Sequence, residues 1–445
     1  MIRDAAQQVL EPLVNWLNGF DGDPLQAMPP SGAGVCRGAA APERPLTSRT
    51  SVWRPLLRSA AGVIFGSATL LLAVGTVAGL VWLWPEGQPA GELPAPLRAE
   101  AERAEAIAVE RRPCASPQAR DCRLVRILLL SGRDQGERSE LTLGETLADP
   151  QIGVGDRLRV VRTGVPEGAG TVDVQPYALA DFERRFEMST LLIAYVALVI
   201  LLGRWRGALS LVGLAVSLAV VILFIVPAIL TGRPALAVAV VGSFAIMLAT
   251  IVLTHGVSPK SIAAALGTAA SLVLTIGLAV AFTEIANLSG FSSEEATLLG
   301  ATVRDLSPAA LVLAGMVIGA LGVLDDVTVS QASTVLALRR ANPALAFGDL
   351  YRRALAVGRD HVTATVNTLV LAYVGASLPV LLIFSVGGVG FADAINREAV
   401  AEQVIATLVG SIGLIVAVPL TTALAGLMAI NLEPHQLAAD SHGDH

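Results

Sequence analysis

The chain has 445 residues, of which 53% are hydrophobic and only 15% are charged, and its formal net charge is −6 at pH 7. Several runs of about 20 apolar residues predict a mainly α-helical protein that crosses a membrane many times. The sequence contains no GxxxxGK[ST] phosphate-binding loop and no basic cluster interleaved with aromatic residues. We therefore expect no ATP hydrolysis by this chain and no nucleic-acid partner. As separate expectations, the chain has no cofactor, no bound metal and no enzymatic activity.

Residues 1–58 are interpreted as a cytoplasmic segment that is partly disordered, because much of it is rich in Pro, Gly and Ala. The first span is placed at 59–84. Positive charge beside a span favours the cytoplasmic side, and three arginines precede this one, Arg49, Arg54 and Arg58. A signal peptide is the competing interpretation, but a long segment precedes the apolar run and no small-residue cleavage site follows it.

Residues 85–187 are predicted to form a small β-rich domain outside the membrane. After a charged stretch at 98–112, alternating apolar segments separated by turn residues predict strands at 122–130, 140–144, 156–162 and 170–175. About five short strands fit a small barrel or sandwich, and an OB-like barrel is one such fold. The domain follows a span that starts in the cytoplasm, so it is placed in an oxidising compartment. There the spacing of Cys114 and Cys122 permits a disulfide.

Seven further spans are predicted to form a membrane domain of residues 188–430. They are placed at 188–203, 207–230, 234–254, 259–283, 307–336, 362–386 and 404–430. The loops assigned to the inner side carry most of the Lys and Arg residues of this domain, which agrees with eight spans in all. Both termini, including the tail at 431–445, are then cytoplasmic, and we expect a multi-pass protein of a bacterial plasma membrane.

The sixth span contains two adjacent acids, Asp325 and Asp326, within an apolar run. Steps of three and four residues place one acid on a stripe with three glycines and two hydroxyls: Gly315, Gly319, Gly322, Asp326, Ser330 and Ser333. Glycines let helices approach closely, so we expect Asp326 to face the bundle interior and Asp325 to be turned about 100° away. The alternative is that Asp326 is only a structural hydrogen-bond acceptor.

The seventh span begins with an unusual number of polar side chains. Asp360, Thr363 and Asn367 fall on one helical face, and Thr368 lies on a neighbouring face. A hydroxyl can bond back to its own helix, whereas an amide in hydrocarbon needs a partner on another helix. We therefore expect Asp326 to lie within reach of Asn367 or Thr363. Asp360 has a second interpretation, as an acid that caps the helix.

Two stretches, GALGVLDDVTVSQAST and VGRDHVTATVNTLVLAYVGASLP, resemble the YibE/F-like membrane protein family. The residues that match its pattern are Gly319, Gly322, Asp326, Ser330, Ser333, Gly358, Arg359, Asp360, Thr365, Asn367, Thr368, Leu369, Ala372, Tyr373 and Gly375. The resemblance extends over roughly residues 100–430 and does not supply a function. Asp325 departs from the pattern, which is apolar at that position, and this leaves open which of the two acids faces inward.

The leading functional hypothesis is a transport-related protein in which an intramembrane Asp responds to a proton or a cation, because such acids mark ion pathways. The pathway would comprise Asp326, Asp325, Ser330, Ser333, Asp360, Thr363, Asn367 and Thr368. The alternative is a non-transporting scaffold or accessory subunit that binds a partner through the outer β-domain. Besides the lipid bilayer, the expected partner is a second copy of the chain or another membrane protein.

Overall fold

The computed structural model describes residues 60–87, 100–113, 122–144, 150–163, 175–303 and 306–431. The predictions made for the N-terminal segment, Cys114, the strand at 170–174 and the C-terminal tail lie outside these residues. Within them, the molecule is mostly helical and has a small antiparallel sheet between the first and second long helices.

Among the described residues, seven helical segments are long and apolar enough to cross a membrane. The helices of the described residues are α1 (Ala60–Trp82), α2 (Arg185–Val220), α3 (Val226–Leu230), α4 (Ala235–His255), α5 (Pro259–Ile285), α6 (Glu294–Thr302), α7 (Pro308–Ala341), α8 (Phe347–Val386), α9 (Phe391–Ile395) and α10 (Glu398–Ile430). A π-helical turn, Val221–Ile225, joins α2 to α3. The N-termini of α5 and α7 share one signal, a capping serine followed by proline, at Ser258-Pro259 and Ser307-Pro308.

The second and third predicted spans fall within one 46-residue apolar segment, Arg185–Leu230. Its helix is interrupted at Arg204, where φ is 49° and ψ is −131°. A side chain at Gly207 would overlap the carbonyl oxygen of Val199, eight positions earlier. A straight helix would separate these two residues by about 12 Å along its axis, so the chain turns sharply at Arg204. The count of eight spans stays a prediction, since the structure gives seven candidate segments.

Within the described part of this domain, the sheet has five antiparallel strands in the order β3-β2-β1-β4-β5. They are β1 (Glu102–Arg111), β2 (Arg123–Leu129), β3 (Arg138–Leu143), β4 (Arg157–Arg162) and β5 (Tyr177–Phe182). The two outer strands, β3 and β5, also contact each other, so the sheet is curled. Its core is one cluster of alternating inward side chains, which includes Ala104, Ala106, Val125, Ile127, Leu129, Leu141, Leu158 and Val160.

The predicted strands at 122–130, 140–144 and 156–162 correspond to β2, β3 and β4. The central strand β1 was missed because it lies in the stretch that was interpreted only as charged. Its exposed positions carry Glu and Arg, and its buried positions are the alanines 104 and 106, which give a weak apolar signal. The last strand of the described residues, β5, begins at Tyr177, and the strand predicted at 170–175 lies almost wholly outside these residues. Cys122 is disulfide-bonded, and its pairing with Cys114 stays a prediction.

Two polar contacts hold the ends of the sheet. The buried Tyr177 hydroxyl donates to Asp134 Oδ2 at 2.6 Å, and burial together with this bond raises the pKa of Tyr177. Where the sheet joins α2, Arg184 Nη1 lies 2.8 Å from Asp181 Oδ1. The hydrogen bonds from Arg184 and from the Phe182 N–H lower the pKa of Asp181.

The membrane helices pack around α5, α7 and α10, which contact one another extensively, while α4 packs against α7. The three central helices each bury 44% of their most apolar window, whereas α1 and α8 bury only 6%. Close approach depends on glycines of α5 and α10. A side chain at Gly267 would overlap Thr421, and one at Gly413 would overlap Thr275.

Candidate functional site

The interior acid of α7 is Asp325. Its Oδ2 atom accepts a hydrogen bond from the Thr250 hydroxyl of α4 at 3.2 Å. Its Oδ1 atom is buried and has no hydrogen-bond partner among the described residues. The Thr250 hydroxyl has one proton and also lies 2.9 Å from the Ile246 carbonyl and 3.0 Å from the Met247 carbonyl. Because one proton serves three acceptors, the Asp325 carboxyl group is only partly satisfied.

One turn further along α7, two buried threonines join α7 to α5. The Oγ1 atoms of Thr328 and Thr268 are 2.5 Å apart, and both side chains are fully buried. Thr328 also lies 3.1 Å from the backbone carbonyl of Asp325. The hydroxyl pair and the acid therefore belong to one continuous polar region.

Gln331 continues this region on the next turn of α7. Its Nε2 atom donates to the Ala354 carbonyl of α8 at 2.9 Å and to the Thr422 hydroxyl of α10 at 2.7 Å. One buried amide thus ties three helices together. Gln331 was not predicted as a site residue, although Leu324, Thr328 and Gln331 are spaced so that they share one face of the helix.

The interface of α5 and α10 extends the polar region along the bundle. Three buried hydroxyls there, those of Ser271, Ser411 and Thr421, have no hydrogen-bond partner among the described residues. Most Ser and Thr hydroxyls in membrane helices bond back to the preceding turn, as Thr275 does to the Ser271 carbonyl at 2.8 Å. The hydroxyls of Ser271, Ser411 and Thr421 depart from this pattern.

A second buried acid lies near the start of α10. Glu402 is 8% exposed, and its Oε2 atom accepts a hydrogen bond from Ser292 at 2.8 Å. Its Oε1 atom is buried and has no partner in the described part of the chain. Glu398, one turn earlier, accepts bonds from Ser289 and from the Gly290 N–H. Glu402 was not predicted as a site residue because it precedes the last predicted span, which begins at residue 404.

The prediction that Asp326 faces the bundle interior is wrong, because its side chain is exposed. On its stripe, Gly315 and Gly322 are exposed as well. Ser330 and Ser333 are half-buried and donate to carbonyls of their own helix, at 3.0 and 2.7 Å. The physical reason is that α7 buries the opposite face, where large apolar side chains alternate with Thr328 and Gln331. The glycines that permit close packing belong to α5 and α10.

The polar residues at the start of the seventh span are not part of this interior region. Asp360, Thr363, Asn367 and Thr368 of α8 are all exposed. Thr363 and Thr368 donate to carbonyls of their own helix at 2.9 and 3.0 Å. Thr363 also lines a groove of about 630 Å³ between α8 and α10, together with Arg359. Asp326 and Asn367 therefore do not form the buried pair that we expected.

The apolar helices and the buried polar side chains between them define an integral, multi-pass membrane protein. A family model described as YibE/F-like protein matches residues 191–431, more than half of the chain, and the chain belongs to this family. The match starts in α2, so it does not include the sheet, to which the expected resemblance extended. No curated protein and no solved structure matches the chain.

Proposed function

We propose that this chain is a transport-related membrane protein in which Asp325 binds and releases a proton or a small cation. The observation that carries the proposal is the incomplete bonding of its carboxyl group. One oxygen shares the Thr250 proton with two carbonyls, and the other is buried without a partner among the described residues. This role was assigned to Asp326 in the sequence, and the exposure of Asp326 moves it to the neighbouring acid.

A carboxylate at this position is expensive unless something neutralises it. Insertion of an ionised Asp at the centre of a membrane helix costs about 2.5–3.5 kcal/mol. No salt bridge to Asp325 occurs within the described residues. Neutralisation therefore requires a mobile species, and a proton or a small cation is the simplest one that a single carboxyl group can exchange.

The polar row between α5 and α10 supports a path to this site. Its buried polar side chains are Glu402 and Ser411 on α10 and Ser271 and Thr268 on α5, and Thr268 bonds to Thr328 of α7, one turn from Asp325. Asp325 is half-buried midway along α7, Glu402 is buried near the start of α10, and each has one buried oxygen without a partner in the described part of the chain.

The same proposal includes the finer topology. The sharp turn at Arg204 supports two crossings within Arg185–Leu230, and hence eight spans with both termini in the cytoplasm of a bacterial cell. The β-domain is then extracytoplasmic. Its strand order, closed by the contact of β3 with β5, supports an OB-like barrel.

The second candidate function is that of an accessory subunit that binds a partner through this domain. It is favoured by a cleft of about 530 Å³ beside β3 and β5, which is lined by both polar and apolar side chains, among them Thr142, Gln175 and Asp181. An accessory subunit would bind there and would not move ions by itself.

The test is ion flux into vesicles that contain the purified protein and a pH- or cation-sensitive dye. We expect flux above that of empty vesicles for wild type and for Asp326→Asn, and a loss of at least about tenfold for Asp325→Asn. Asp326→Asn is the matched control, because it makes the same change one position away on the exposed face. Absence of flux in wild type for H⁺, Na⁺ and K⁺ would favour the accessory role.

A further inference from the structure

Helix α8 uses only a narrow stripe to contact its own chain. Every third or fourth residue faces α7 and α10, and the buried members of this stripe are Leu350, Ala354, Gly358 and Ser377. A side chain at Gly358 would overlap Val418 and Gln331, so the attachment is close. Yet only 6% of the most apolar window of α8 is buried. Most of this helix therefore faces lipid or another protein.

A second regular stripe lies on the opposite side of α8. It consists of Ala364, Asn367, Leu371, Val374 and Leu378, which we call the exposed seam, and all five side chains are exposed. Their spacing alternates between three and four residues, which is the spacing of residues that meet across a coiled-coil interface. Two membrane helices can pack along such a seam.

The amide in this seam is the residue that needs a partner. Asn367 lies more than one turn inside the apolar part of α8 and makes no hydrogen bond to any described residue. The neighbouring Thr363 and Thr368 bond back to their own helix, so they are satisfied in a lipid environment. An amide carries two donors and an acceptor that cannot all be satisfied within one helix.

We propose that the exposed seam packs against the same seam of a second copy of this chain, with the two Asn367 amides hydrogen-bonded across a twofold axis. An amide donates and accepts, so it is complementary to itself, and a second copy inserted in the same direction presents its amide at the same depth. In parallel helix pairs a single Asn in the seam also fixes the register and the number of helices. The proposal does not depend on the transport function.

Cross-linking tests the position of the interface. In a Cys36→Ser background, Leu371→Cys in membranes treated with a mild oxidant should give a disulfide-linked dimer. Val370→Cys is the matched control, because Val370 is also exposed but is turned about 100° from the seam. We expect at least severalfold less dimer with this control. Equal cross-linking at both positions, or none at Leu371→Cys, would overturn the proposal.

Energy transfer between labelled copies diluted in lipid vesicles tests the amide. Asn367→Val should weaken the dimer roughly three- to twentyfold, the range measured for hydrogen bonds between membrane helices. Thr368→Val should leave it unchanged, and helical content by circular dichroism checks that both variants fold. Monomeric wild type, or Asn367→Val that associates as well as wild type, would contradict the proposal. If Leu371→Cys instead cross-links to a different protein, that protein binds the exposed seam and the proposed contact between two copies is wrong.

Discussion

At the residue scale, the two adjacent aspartates show how little separates an interior acid from an exposed one. A helix turns by about 100° per residue, so one position decides whether a carboxyl group faces Thr250 or the surface. The sequence predicted that Asp326 lies near Asn367 or Thr363 of the seventh span, whereas the acid with a polar neighbour is Asp325, beside Thr250 of α4. The wrong acid was assigned because three glycines were interpreted as the packed face, whereas α7 packs through its larger side chains.

Gln331 provides a prediction at the same scale. Gln331→Leu removes the hydrogen bonds that the Gln331 amide donates to the Ala354 carbonyl and to the Thr422 hydroxyl. Each of these two buried oxygens then accepts one hydrogen bond fewer. We expect a loss of about 1 kcal/mol in the free energy of unfolding, because hydrogen bonds between membrane helices average about 0.6 kcal/mol and reach about 1.7. Thermal unfolding in detergent should show a lower Tm. Ser333→Ala is the control, since that hydroxyl bonds only to its own helix, and an equal fall in both variants would contradict this role.

At the element scale, the packing of α5 against α10 depends on glycines whose packing role was not predicted from the sequence. Gly267 and Gly413 each meet a threonine of the other helix so closely that a methyl group would overlap it. Whether a glycine permits close helix packing depends on the residue that faces it in the fold. A single sequence does not show which residue that is. The three glycines of the α7 stripe were visible as a pattern, but two of them have no atom within 4 Å of where a side chain would begin.

This contrast gives a direct comparison of two substitutions of the same kind. Gly413→Ala should push α10 away from Thr275 and lower the Tm, since overpacking costs about 1–3 kcal/mol. Gly315→Ala should leave the Tm unchanged or raise it slightly, because nothing lies near that position and alanine favours helix. If Gly315→Ala instead has a lower Tm than Gly413→Ala, then α7 packs through its glycine stripe and our assignment of the packing face is wrong.

The β-domain yields a prediction about pH. The folded-state pKa of Tyr177 is raised above its usual value of about 10, chiefly by burial. The contribution of the protonated hydroxyl to stability is therefore fully present below pH of about 10 and is lost as the pH rises through the folded pKa. Absorbance of tyrosinate should show that one of the four tyrosines titrates only when the domain unfolds. The titration of Tyr177→Phe should lack that late component, and an unchanged curve would refute the assignment.

At the scale of the whole molecule, apolar length predicted where the membrane helices lie, and alternation predicted three of the five strands. Strand β1 and the side-chain contacts between particular helices of the bundle could not be predicted. In a single sequence, alanines and small polar residues do not show which side of a strand or helix is buried. The break at Arg204 agrees in position with the end of a predicted span at residue 203. Whether the chain crosses the membrane twice there determines the side on which every later loop lies.

Single cysteines test this topology, in a background without Cys36. Cysteines at Ser139 and at Ala341 should react with an impermeant reagent from opposite sides of the membrane if Arg185–Leu230 crosses twice. A single crossing would place both on the same side, so labelling of both from outside would exclude eight spans. Labelling after the membrane is made permeable controls for access to each site.

The central claim is that Asp325 is the acid that exchanges a proton or a cation, and infrared difference spectroscopy of the protein in vesicles tests it most directly. Changing the pH, or adding a cation, should alter a carboxyl band in wild type. The account predicts that Asp325→Asn removes this change and that Asp326→Asn retains it. If the change persists in Asp325→Asn and disappears in Asp326→Asn, the assignment of the exchanging acid is contradicted.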